Sequence, residues 1–372
     1  DPAEIRRRNL IAPEDMPYDC GTVSFGVNTV YDSGDFPGLF DELLRRLDYA
    51  AARHEQAEVN ARGGRVRRGI GLALYVEKTG LGPFETAQVE ARPDGRFTVD
   101  TGASSMGPGL ETVLAQILGE ALGLPADRFE VRHTDTATVE SGIGTYGSRG
   151  TVTAGNAAHL AAGKLITEAR TRAAELWGVS AEVIKYEAGQ LGAEGRRVTI
   201  GELAARKRLA VGASFNVPKV TYAGCGVAVI ADIDADTGVV RLRRVVVGAD
   251  VGRAINPALV DGQLVGGVAF GIGNTLFEGL EYDADGQLLT GTLMDYALPL
   301  AADVPAVDGF YQEVAARTNP LGLRGLGECG NPGLGGAIAN AVCDAFRGAG
   351  VAITALPLTP ARVREAIRTA GL

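Results

Sequence analysis

Cysteine is scarce in this chain. Cys20, Cys225, Cys329 and Cys343 lie far apart, and no pair has Cys-x-x-Cys spacing, which argues against a zinc ribbon or an iron–sulfur cluster built by this chain alone. Reduced thiols in a cytoplasmic protein fit that pattern best. Histidine is scarcer still: His54, His133 and His159 are scattered, none with a partner at metal-ligand spacing. Aromatics make up 6% of the residues, so the cores must be built from Val, Leu, Ala and Ile. No apolar run approaches the roughly 20 residues that span a bilayer, and no charged-then-apolar signal segment opens the chain. Basic excess is missing as well. The net charge is −9, and the clusters at 6–8, 62–68 and 241–244 are short, so they read as solvated faces rather than a nucleic-acid surface.

Length and patterning indicate an α+β fold. At 372 residues the chain exceeds what one core usually supports, so two lobes are expected. Apolar residues at helical spacing predict a helix over 39–60. Short β-forming or alternating runs predict strands at 69–77, 85–91, 97–100 and 129–133, with a helix from just after Met106 to about Leu122. The Ala-rich stretch 151–177 predicts a long helix. Strands at 220–233 and 239–247 flank Asp234-Ala-Asp-Thr-Gly238, an antiparallel turn. Helices follow at 257–276 and 335–347, with a last one beginning near Pro360. The organisation read from this is an N-terminal linker (1–35), a first lobe (36–177), a helix-hairpin insertion or lobe boundary (178–216) and a second lobe (217–372).

One carboxylate stands out. Asn319-Pro-Leu-Gly-Leu-Arg-Gly-Leu-Gly-Glu328-Cys-Gly-Asn-Pro-Gly333 sets Glu328 among glycines just before an apolar helix. Glycines on both sides allow a close backbone approach to a bulky ligand, which predicts a held rather than a solvated carboxylate. A rival motif, Gly142-Ile-Gly144-Thr-Tyr-Gly147, spells Gly-x-Gly-x-x-Gly. The dinucleotide-binding version needs an apolar strand running into the first glycine and an acid closing the second strand. Here the preceding residues are polar and Glu168 falls inside the long helix, so that reading is rejected. Glycines before a helix can still present backbone N–H groups to an anion.

Further motifs fall in order along the chain: Met106-Gly-Pro108-Gly109, Gly144-Thr-Tyr-Gly147-Ser148-Arg149-Gly150, Asp250-Val-Gly-Arg-Ala-Ile-Asn-Pro257, a helix opening Gly262-Gln263, and Leu293-Met-Asp-Tyr-Ala-Leu-Pro299. With the Gly-x-Gly-Glu328 loop, this set resembles the xanthine oxidase (molybdenum hydroxylase) family over nearly the whole chain. The resemblance implies a two-lobed molybdopterin-binding domain with mixed sheets and long packed helices. It implies that Glu328 is the general base beside a molybdenum held by the pterin dithiolene, with no protein ligand on the metal. Met106, Gly107, Pro108, Gly147, Ser148, Arg149, Gly150 and Gln263 would contact the cofactor, as molybdopterin or its cytosine dinucleotide. Gly147 would leave room beside the metal. Leu72, Ala73 and Tyr75 align loosely with a substrate-facing stretch. Asp250, Arg253 and Asn256 are read first as turn-stabilising residues. Pro108 departs from the family, replacing a Gln with a residue that lacks both amide and N–H.

The same resemblance places the opening Asp1-Pro-Ala-Glu-Ile midway along a longer molybdenum subunit. The expected partners are therefore an N-terminal half, an iron–sulfur subunit with 2Fe-2S clusters, an FAD subunit and a small-molecule substrate, an N-heterocyclic aromatic or an aldehyde. Two other readings stay open: a noncatalytic assembly scaffold of the same fold, and a nucleotide-binding oxidoreductase module.

Overall fold

The computed structural model describes residues 1–24, 26–133 and 135–372. The chain opens with helix α1 (Pro2–Arg7), capped by the Asp1 carboxylate, and a hairpin of β1 (Tyr18–Ser24) and β2 (Val27–Tyr31). The helix expected over 39–60 is two helices, α2 (Phe36–Leu47) and α3 (Tyr49–Ala61). The break is Asp48, whose left-handed φ of 54° ends α2; Asp is among the few residues that tolerate this conformation. Helical periodicity continues through the break, which is why the pattern reads as one helix.

Next come β3 (Val66–Thr79), β4 (Phe84–Ala91), β5 (Phe97–Thr101), α4 (Leu110–Leu122), β6 (Phe129–His133) and α5 (Gly150–Trp177). Residues 178–216 fold as a small meander, β7 (Lys185–Glu187), β8 (Gln190–Ala193) and β9 (Arg196–Thr199), followed by α6 (Ile200–Arg206) and β10 (Leu209–Asn216). The rest is β11 (Thr221–Asp234), β12 (Val240–Asp250), α7 (Pro257–Leu276), β13 (Val307–Gln312), α8 (Leu334–Ala345) and α9 (Pro360–Thr369).

Two four-stranded mixed sheets organise these elements. The first has the order β10-β4-β5-β6, with β5 and β6 parallel. Helix α5 packs on it through fully buried alanines, Ala154, Ala157, Ala158, Ala161 and Ala162, small enough for helix and sheet to approach closely. Ile184, Leu191, Ile200 and Leu203, from the stretch 178–216, share this core.

The second sheet has the order β13-β12-β11-β3. Strand β3 precedes the first sheet in sequence yet pairs with β11 from Thr79↔Thr221 to Val66↔Asp234, so the sequence range 36–177 mixes parts of both sheets. Alternation along β3 splits two cores. Ile70, Leu72 and Leu74 face α2, while Gly69, Gly71, Ala73 and Tyr75 face α8. At Gly69 and Gly71 a Cβ would overlap the carbonyl oxygens of Ala341 and Ala337, so α8 lies directly on the strand backbone. Asp344 of α8 fixes the register by accepting Ile70 N–H at 2.9 Å and pairing with Arg53 of α3 at 2.6 Å.

Candidate active site

Four loops separated by most of the chain close around one cavity of about 440 Å³. They are the turn at 106–108 before α4, the turn at 145–151 that runs into α5, the 251–256 segment before α7, and the 324–328 loop. Gln263, in the second turn of α7, also lines it. The turn before α7 is held by its own side chains. Asp250 accepts Gly252 N–H at 2.9 Å and Val314 N–H at 3.1 Å, and Asn256 caps α7 through Leu259 N–H at 3.2 Å. Burial raises the Asp250 carboxyl above its ordinary range, with Arg324 working in the opposite direction.

Arg149 shapes the second loop from within. It is fully buried against an equally buried Glu85, Nη1 to Oε2 2.8 Å, and it donates to the carbonyls of Leu81 (2.6 Å), Phe84 (2.5 Å) and Gly144. Its guanidinium also lies over the Tyr146 ring, 5.4 Å from the centroid. These side-chain donors are committed to the protein, so Arg149 clamps the loop from within while the residue itself lines the cavity. Glu85 stabilises the same loop through the N–H groups of Ile143 and Gly144. A single Glu in a short strand gave no sign of this in the sequence.

Ser148 and Glu328 meet across the cavity wall. Ser148, at the strained φ of 49°, donates its hydroxyl to Glu328 Oε2 at 2.6 Å and accepts the Glu328 N–H at 3.1 Å. The Glu328 side chain is exposed in this chain, not enclosed as its glycine setting suggested. What holds it is Ser148. Behind the loop, Thr79 Oγ1 accepts Gly325 N–H at 3.1 Å, and the Tyr75 hydroxyl donates to the Cys329 carbonyl.

Other sequence expectations change. A Cβ on Gly147 would sit 2.7 Å from Leu81 Cδ1, so that glycine serves its φ of 55° and the packing of Leu81 rather than open space beside a metal. Leu72 is buried in the core under α2, Ala73 packs toward α8, and Tyr75 supports the Glu328 loop from behind; none of the three lines the cavity. Met106, Gly107, Pro108, Gly147, Ser148, Arg149, Gly150 and Gln263 do line it. Between β6 and α5, residues 135–149 contain no strand, so nothing runs into Gly142 as a dinucleotide fold requires. The sequence reading missed Glu77. Burial, and then the charge of Glu328, push its carboxyl up to about 7.

The family model for the molybdopterin cofactor-binding domain matches residues 42–305. The chain belongs to the molybdopterin cofactor-binding family. It is 37% identical to the 6-hydroxypseudooxynicotine dehydrogenase complex subunit gamma of Paenarthrobacter nicotinovorans, over 97% of this chain and 47% of that protein. It is 32% identical to the carbon monoxide dehydrogenase large chain of Hydrogenophaga pseudoflava, over 100% of this chain and 49% of that one. The structure superposes on quinoline 2-oxidoreductase from Pseudomonas putida 86 with a TM-score of 0.89 at 32% identity, covering 99% of this chain and 49% of that one. The chain thus spans about half the length of the curated relatives it matches.

The cavity suits the family's cofactor. Donors on its lining include the Gln263 amide and the backbone N–H groups of Gly150 and Thr151, which open the 28-residue helix α5. Such neutral donors match a pterin ring and its phosphate better than a bare metal ion. No helix among the described residues is long and apolar enough to cross a membrane.

Proposed function

We propose that this chain is the molybdopterin-binding part of a molybdenum hydroxylase that oxidises an N-heterocyclic aromatic compound or an aldehyde, with Glu328 as its general base. The observation that carries the reading is the meeting of four sequence-distant loops at one cavity, with Glu328 held at its wall by Ser148. When bound, the cofactor supplies two-electron redox chemistry and water supplies the oxygen. The protein's share is positional. Gln263 and the N–H groups at the start of α5 hold the pterin and its phosphate, while Pro108 contributes shape but no hydrogen bond. Ser148 occupies one Glu328 oxygen and fixes the plane of the carboxylate, whose other oxygen would take the proton from the O–H of the water-derived oxygen that attacks the substrate carbon.

The relatives support the same reading. One is named as a subunit of a dehydrogenase complex, and quinoline, named in a structural neighbour, is an N-heterocycle. We place beside this chain a preceding half of the molybdenum subunit, a 2Fe-2S subunit and an FAD subunit, in a cytoplasmic complex. The cofactor is molybdopterin or its cytosine dinucleotide.

The test is metal and pterin analysis of the purified complex, with a screen of N-heterocycles and aldehydes against an artificial electron acceptor. Molybdenum, a pterin and turnover support the proposal. Molybdenum without any turnover would point to a noncatalytic scaffold, and a tightly bound nicotinamide without molybdenum to a nucleotide-binding module.

A further inference from the structure

Strand β3 runs directly behind the Glu328 loop, and one face of it meets that loop at both ends. Side chains at 75, 77 and 79 share this face. Tyr75 bonds the Cys329 carbonyl and Thr79 bonds the Gly325 N–H, so Glu77 lies between the two anchors, facing the middle of the loop that carries Glu328. Glycine and alanine occupy the earlier positions on this face, where α8 lies on the strand. Glu77 itself is half-buried there.

We propose that Glu77 is a positioning residue for Glu328: its carboxyl, on the strand behind the loop, sets the local charge that Glu328 experiences and so tunes its strength as a base. This rests on Glu328 being the base. The influences on the Glu77 carboxyl are burial and then the charge of Glu328, with no offsetting cation among the described residues, and they push it up to about 7. Linkage is reciprocal. The interaction between the two carboxylates acts on both with the same free energy.

The surrounding groups leave this coupling in place. Tyr75 on β3, Cys225 on β11 and Cys329 in the loop face the same region; burial raises Tyr75, and the hydrogen bond with Cys225 and then burial raise Cys329, keeping both neutral. Lys78 is on the opposite face of β3, bonded to the Ser24 carbonyl at 3.0 Å. The nearby arginines are committed elsewhere, Arg324 to Asp32 and Asp250 and Arg149 to Glu85. Below about pH 7 Glu77 is neutral; above it, its charge adds to the field at Glu328 and strengthens the base.

Two measurements on the holoenzyme test this. In the pH profile of kcat, wild type should show a rise with a midpoint near 7 that Glu77→Gln lacks and Glu77→Asp retains, at unchanged molybdenum content. Isotope-edited infrared titration, taking the difference between parent and Glu77→Gln spectra, should place the Glu77 midpoint near 7. In a Glu328→Gln background that midpoint should fall, yet stay above the ordinary 4.5 because burial remains. An unchanged Glu77 midpoint in Glu328→Gln would overturn the proposal, as would a Glu77→Gln profile identical to wild type. Undiminished turnover in Glu328→Gln would instead defeat the base assignment, independently of the Glu77 titration.

Discussion

The Ser148 hydroxyl donates to Glu328 Oε2 at 2.6 Å, and Ser148 Oγ accepts the Glu328 N–H at 3.1 Å. Two residues 180 positions apart thus form a closed ring of two hydrogen bonds. The ring fixes both the backbone of the 324–328 loop and the plane of its carboxylate.

Ser148→Ala removes both bonds while leaving the backbone path intact. A hydrogen bond to a charged group is worth about 1.5–3 kcal/mol, so turnover should fall about 10- to 100-fold. Steady-state kinetics at constant molybdenum content check this. A loss confined to KM would mean that Ser148 serves substrate binding rather than the base.

Glu328→Gln keeps the volume and the Ser148 contact but removes the proton acceptor. Turnover should drop by at least the roughly 10²- to 10⁴-fold typical of a lost general base, with molybdenum retained. Equal loss of metal and activity would show that the residue holds the cofactor in place.

Gly147→Val meets two obstacles at once, the left-handed φ of 55° and the Leu81 side chain. The loop must then shift, taking Ser148 with it, and cofactor content should fall sharply while circular dichroism stays native. Adding Leu81→Ala relieves the overlap but not the backbone strain of about 1–3 kcal/mol, so occupancy should recover only in part. Full cofactor loading in Gly147→Val alone would show that the loop is placed wrongly.

Breaking the Arg149–Glu85 pair leaves one buried charge uncompensated. Arg149→Met should destabilise the protein by about 3–5 kcal/mol in denaturant unfolding and disorder the turn at 144–147. The double variant Arg149→Met with Glu85→Gln should be less destabilised than the single one, because no unpaired charge remains.

Asp344 gives a pH dependence of known sign. Burial alone would raise its carboxyl, but Ile70 N–H, Arg53 and Gln56 together hold it below its ordinary 3.8. A depressed folded-state value stabilises the protein above 3.8 and loses that stabilisation as the pH falls through the folded value. Asp344→Asn should therefore be clearly less stable than wild type at neutral pH, with the gap narrowing below about 3.8. A gap that is constant from pH 3 to 7 in urea titrations would rule out the ionic contribution.

Local order in the sequence was enough to locate most elements and the loops of the site. Alternation over 129–133 and the turn 234–238 mark strands whose bounds the structure keeps closely, and Pro257 with Asn256 before it marks the start of α7. The glycine-flanked Glu328, the 106–108 turn and Gln263 could be singled out because each signal lies within a few neighbouring residues. Long-range contacts could not be read in this way. That β3 crosses to the second sheet, that Arg149 is spent on Glu85 and three carbonyls, that Gly147 faces Leu81, and that Glu77 stands behind Glu328 all depend on which distant segments pack together. By itself the sequence determined the local conformations and the residue types available to the site. Only the tertiary structure decided which of them touch, because pairing and burial bring together residues up to 180 positions apart whose identities carry no local trace of their partners.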